Sequence, residues 1–116
     1  MDSEFLRELF ESFRPVSIRR MFGGAGVFAD GLMFALVVDD VIYLKTDDGN
    51  RADFDAENLP PFRYRRAGAM RALTSYRRMP DRLYDDPEEL AQWAAGAFAA
   101  ASIKARPQRK SVRRRQ

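Results

Sequence analysis

The chain contains no cysteine and no histidine. The first absence excludes a disulfide framework and a thiolate nucleophile, and the two together exclude the usual zinc sites. Without imidazole the commonest general base at neutral pH is missing as well. No run of about 18 apolar residues occurs, so no segment reads as a membrane span. Met1-Asp2-Ser3-Glu4 is acidic and leads into an amphipathic pattern, unlike the basic, then apolar, start of a secretion signal. There is no Walker A motif, no G-x-S-x-G and no S-x-x-K, so no hydroxyl has a recognisable activating base. The expectation is a cytoplasmic, non-enzymatic chain that carries no cofactor and no metal.

What is present is enough for one domain. Of 116 residues, 46% are hydrophobic and 32% charged, which permits a packed core and argues against a disordered polymer. The net charge of +3 is unevenly spread. Lys104, Arg106, Arg109, Lys110, Arg113, Arg114 and Arg115 fall in the last 13 residues without an acid, leaving 13 basic against 17 acidic residues in the body. Residues 1–103 therefore read as a folded domain and 104–116 as a basic tail with too little apolar surface to order itself. Its cations could neutralise phosphates without reading sequence, with a salt slope of about −6 on duplex DNA if all seven did so. A solubilising role or an appended vector sequence accounts for the same composition equally well.

Two further charge blocks lie inside the body. Asp39, Asp40, Asp47, Asp48, Asp53, Asp55 and Glu57 precede Arg63, Arg65, Arg66, Arg71, Arg77, Arg78 and Arg82. The plain expectation is that they lie on neighbouring elements and neutralise each other.

Periodicity divides the body into elements. Phe5, Leu6, Leu9, Phe10 and Phe13 recur at helical spacing and predict a helix that Pro15 ends. Val16–Phe22 reads as extended, then glycines interrupt, and Val27–Ala29 is a second short apolar piece. Asp30-Gly31 is a hairpin signal before the seven-residue apolar run Leu32–Val38, which suits a central strand buried on both faces or nearly so. Val41–Lys45 is another strand, and Asp47–Asn58 reads as a short helix. Phe62 and Tyr64 alternate with Arg63 and Arg65 as on a half-exposed strand, and Met70–Met79 is a long strand after an Ala67-Gly68 turn. Asp86, Pro87 and Glu89 form an N-cap, N1 and capping-box pattern. Leu90, Trp93, Ala94, Ala97, Phe98 and Ala101 then give the last helix an apolar stripe, with Trp93 expected among the most buried residues. Consecutive strands joined by tight turns predict an α+β domain in two layers, an antiparallel sheet with helices packed on it, in the order α-β-β-β-α-β-β-α.

Gly24-Ala25-Gly26-Val27-Phe28-Ala29 satisfies a loose dinucleotide-binding pattern, but a β-rich run follows where that site needs a helix. The glycines are better read as a bend where two backbones approach closely. Asp53, Asp55 and Glu57 lack the glycine of a calcium loop and suit a solvated helix face. Tyr64 and Tyr76 are expected to point into the core while the nearby arginines solvate the sheet edge, although rings among arginines also suit nucleic acid. The glycines beside Lys45 leave an alternative open, a pocket for an anion or small molecule.

Met21-Phe22-Gly23-Gly24-Ala25-Gly26-Val27-Phe28, Asp30-Gly31-Leu32-Met33-Phe34-Ala35 and Leu44-Lys45-Thr46-Asp47, followed in order by Tyr76-Arg77-Arg78-Met79-Pro80 and Asp86-Pro87-Glu88-Glu89-Leu90-Ala91-Gln92-Trp93-Ala94, resemble the TfoX N-terminal domain family over roughly Leu6 to Ala101. The resemblance implies the same α+β order. Founding members of that family regulate natural competence together with the cyclic-AMP receptor protein and carry a further helical domain; here only the basic tail follows Ala101. Many members consist of this one domain and have no established role. The resemblance implies a regulatory or adaptor module in bacterial transcription or competence, acting on protein partners through the sheet face or the glycine bend, with DNA contact by the tail. It supplies no catalytic residues. Met21, Phe22, Gly23, Gly24, Gly26, Lys45, Tyr76 and Pro80 stand out as motif positions without an assigned role.

Overall fold

The computed structural model describes residues 1–21 and 23–105. Six strands form one antiparallel sheet: β1 (Ser17–Met21), β2 (Gly24–Ala29), β3 (Leu32–Val38), β4 (Val41–Lys45), β5 (Pro61–Arg66) and β6 (Ala69–Arg78), in the spatial order β1-β2-β3-β4-β6-β5. Three helices accompany them: α1 (Ser3–Leu9), α2 (Arg51–Ala56) and α3 (Pro87–Ala105), the last preceded by a 3-10 turn at Asp81–Asp85. This is the α+β architecture and element order expected from the sequence. The glycine segment is itself drawn into the sheet, so the stretches on either side of it pair as separate strands and the first group runs from β1 to β4.

Turn chemistry sets the register. Asp30 and Gly31, Asp39 and Asp40, and Ala67 and Gly68 all have positive φ, the arrangement of tight two-residue hairpins whose twist matches that of the strands. Ala67 takes this conformation without the freedom of glycine or the local hydrogen bonds of Asn or Asp.

One face of the sheet carries the core. Ala25 and Val27 on β2, Ala35 and Val37 on β3, and Ile42 and Leu44 on β4 are cross-strand partners on a common face, and all join one buried cluster. The helices deliver their buried side chains to that cluster: Leu6 from α1, Phe54 from α2, and Leu90, Ala94, Ala97 and Ala101 from α3. Phe10, just past α1, meets Phe34 edge-on with ring centroids 5.3 Å apart. The three alanines let α3 lie close across β3 and β4. Asp86 caps α3 as expected, accepting from the Glu89 amide at 3.1 Å. The reciprocal half of the capping box is replaced, because the Glu89 carboxylate accepts from Arg82 and from Trp93 Nε1.

Two expectations are corrected. Trp93 is only half-buried. The stripe of α3 that meets the sheet is centred on Leu90, Ala94, Ala97 and Ala101, and Trp93 stands at its flank, packed edge-on against Phe54 of α2 at 4.8 Å. The first helix is shorter than its apolar spacing suggested, and the chain turns through residues 10–13 before Pro15.

The glycines of β2 have the steric role expected of them. A Cβ on Gly24 would stand 2.2 Å from the carbonyl oxygen of Val37, and one on Gly26 would meet Met33 Sδ at 2.6 Å. The first neighbour is backbone and cannot yield, whereas the second is a flexible side chain. Gly24→Ala should therefore cost more than Gly26→Ala, with about 3 kcal/mol at the first and about 1 kcal/mol at the second in urea unfolding. Equal losses would contradict the close approach. Likewise Phe54→Ala, at a fully buried ring, should cost about 3–5 kcal/mol and the half-buried Trp93→Ala about 2 kcal/mol; the reverse order would mean that the face of α3 is misplaced.

Candidate functional site

Strand alternation sends the remaining side chains to the other face of the sheet. Leu36, paired with Gly26 and Tyr43, lies there, as do Arg19, the partner of Gly26 on β1, and Arg78, the partner of Tyr43 on β6. Met21, Phe28 and Met33 converge over Gly26, each within 3.0 Å of where its Cβ would be. Gly26 thus leaves the space in which these three side chains close over the strand. The Arg19 guanidinium sits 4.7 Å from the centre of the Phe28 ring. Tyr43 meets Phe62 edge-on at 5.1 Å, and Phe62 stacks on Tyr64 at 5.8 Å. None of these side chains belongs to the helix-covered core, since the helices all serve the opposite face. The result is an apolar, aromatic surface with a buried centre at Leu36 and half-buried surroundings, rimmed by arginines.

Lys45 and Tyr76 end this face on neighbouring strands. They are register partners, and the ammonium lies 4.8 Å from the ring centre and 3.4 Å from Ser75 Oγ. Burial pushes the Tyr76 phenol above its ordinary value. The loop after β4 is tied down by Asn50, whose side chain accepts from the Asp47 amide at 2.9 Å and donates to the Lys45 carbonyl at 3.1 Å. Nothing in the sequence marked Asn50 as a buried polar anchor.

The two charge blocks meet only in part. Arg77 reaches Asp55 at 2.9 Å and donates to the Leu59 carbonyl at 2.7 Å, pinning α2 to β6. Arg82 bridges Glu57, the C-cap of α2, and Glu89 of α3. Asp55 and Glu57 are thus engaged in holding helices, and among the described residues no three acidic, histidine or cysteine groups gather as a metal site. Arg63, Arg65, Arg66 and Arg71, by contrast, have no carboxylate partner among the described residues.

The motif positions separate into two groups. Met21, Gly23, Gly24 and Gly26 surround the β1–β2 connection, with Gly23 at φ 75°. Lys45 and Tyr76 pair across β4 and β6, and Pro80 opens the 3-10 turn. The structure does not bring Lys45 to the glycines: β3 lies between, and Lys45 is at the opposite end of β4 from the segment next to Gly24. Tyr64 and Tyr76 are not core residues as expected but lie on the face away from the helices, Tyr76 buried there under Lys45. Phe22 and Arg106, Arg109, Lys110, Arg113, Arg114 and Arg115 lie outside the described residues, while Lys104 falls in the last turn of α3. The uncovered face was missed because Leu32–Val38 is apolar throughout, and an unbroken run hides which side chains face the helices.

Two surface clefts complete the inventory. One of about 390 Å³ lies between residues 8–12 and the start of α3, and the other, about 350 Å³, lies between α2 and α3 around Arg82. In the second, two of the lining carboxylates, Glu57 and Glu89, are already held by Arg82.

The fold is thus a two-layer α+β domain with one face of its sheet packed against helices. Residues 8–101 match the model of the TfoX N-terminal domain, and the chain belongs to that family. Compared with curated proteins, the chain has no match.

The Arg82 bridge makes a pH prediction. Arg82 first, and then the Trp93 indole, hold the Glu89 carboxyl below its ordinary value of 4.5. A folded pKa depressed in this way stabilises the fold above the unfolded value and loses that stabilisation as the pH falls through the folded one. Thermal stability of Glu89→Gln should therefore fall less steeply than that of the native chain between roughly pH 5 and pH 3. Parallel curves would show that the bridge contributes nothing.

Proposed function

We propose that this chain is a cytoplasmic regulatory module of the competence type, acting by binding a protein of the transcription machinery rather than by catalysis. The observation that carries this reading is the uncovered sheet face. Its Phe28, Met33, Tyr43 and Phe62 with Arg19 and Arg78 at the rim are the residue types enriched at protein interfaces, arranged with an apolar centre and a charged edge. Family membership supports a regulatory role. The absence of histidine and cysteine from the sequence leaves few groups suited to proton transfer or nucleophilic attack near neutral pH. The basic tail adds nonspecific DNA contact, a reading supported by its charge alone.

Affinity capture from the protein's own cells tests the proposal. The native chain should retain a transcription protein that a doubly substituted chain, Phe28→Ser with Met33→Ser, does not, while both keep the same circular dichroism spectrum. Retention of the same proteins by both chains would contradict docking on this face.

A further inference from the structure

The β5–β6 hairpin projects beyond the helix layer. Residues 69–74 of β6 are all exposed, although successive side chains of a strand point to opposite faces. Among the described residues nothing covers either face of this outer ribbon. Its five outer cross-strand pairs, from Phe62–Leu73 to Arg66–Ala69, span about 14 Å at about 3.4 Å per residue.

The ribbon carries cations on both faces. Arg63 and Arg65 share one side with Ala72 and Met70, and Arg66 and Arg71 share the other with Ala69 and Tyr64. Their cross-strand neighbours are uncharged, and residues 58–80 contain no acid. At the base of the same hairpin Arg77 and Arg78 have Asp55 and Asp81. Charge compensation therefore holds at the base and stops where the ribbon leaves the body. A two-stranded ribbon presenting guanidinium groups to both sides fits between two phosphate backbones, and the major groove of B-form DNA, about 12 Å wide, admits such a ribbon. A flat acidic protein surface would be met by one face only. Single-stranded nucleic acid would need open ring faces for its bases, whereas Phe62 and Tyr64 are stacked on each other with 17° between their planes.

We propose that the β5–β6 hairpin is a duplex-DNA-binding ribbon, with Arg63, Arg65, Arg66 and Arg71 as its phosphate contacts. This site is separate from the basic tail and adjoins the docking face at Phe62, and it stands whether or not the protein partner exists.

The test is fluorescence anisotropy with a 30-base-pair duplex across a salt series. It compares the full chain, the chain lacking residues 104–116, and each of these with Arg63, Arg65, Arg66 and Arg71 changed to alanine. Substitution should weaken binding about tenfold or more at low salt and lower the salt slope by about 3 to 4, whether or not the tail is present. Changing only Arg63 and Arg65, or only Arg66 and Arg71, should each remove about half of that slope, and lysine at all four positions should keep it. These pairwise and lysine variants carry the test should the quadruple alanine chain not fold. An unchanged slope in the substituted chains would overturn the proposal. So would tighter binding of a single strand of the same length, displacement of the duplex by polyglutamate at equal charge concentration, or an effect confined to one pair.

Discussion

The close seating of α3 on β3 and β4 is the contact on which the remaining structure depends. Ala94, Ala97 and Ala101 bring the helix near the sheet, and Leu90 at one end and the Phe10–Phe34 ring pair beside it fill what remains. Any larger residue in that stripe would lift the helix and open voids on both sides. Because α1, α2 and α3 all pack there, no helix among the described residues is left for the second face of the sheet. That face closes over itself instead, with Met21, Phe28 and Met33 meeting above Gly26 and Tyr43 meeting Phe62.

Asymmetry of cover produces asymmetry of chemistry. On the covered side, charges tie elements to one another: Arg77 to α2, and Arg82 to both α2 and α3. The Arg82 pairs are partly exposed, and their contribution is orientation more than stability. On the uncovered side Arg19 stands beside the Phe28 ring and Arg78 pairs with Asp81, while along the projecting hairpin Arg63, Arg65, Arg66 and Arg71 stand without acids among the described residues. A protein so arranged has most of its uncommitted binding capacity on one face and one ribbon.

Much of this was legible in the sequence, for physical reasons that can be named. Hairpins were readable because Asp30-Gly31 and Ala67-Gly68 are turn dipeptides, and α3 because Asp86-Pro87 begins a helix with one donor capped and another absent. The close approach at Gly24 and Gly26 was readable because nothing helical follows them. The faces were not. Leu32–Val38 gives no alternation, so Leu36 could not be told from Ala35, and Tyr64 and Tyr76 were assigned to the wrong side. Trp93 misled because its place in the apolar spacing of α3 was taken for burial, whereas its ring fills the gap between two helices and its indole serves Glu89. The family strings identified membership, yet the arginines of the hairpin tip belong to none of them; only the pairing register shows that they lie on both faces of one ribbon.

Methionine oxidation of the native chain tests the central claim, that one face of the sheet is sealed and the other presented. Met79 is 2% exposed on the helix side, Met21 and Met33 are half-buried on the other, and Met70 is 58% exposed on the hairpin. Under mild peroxide followed by peptide mass mapping, Met70 should react first and Met21 and Met33 next, with Met79 spared until the protein unfolds. Protection of Met21 and Met33 equal to that of Met79 would contradict the account.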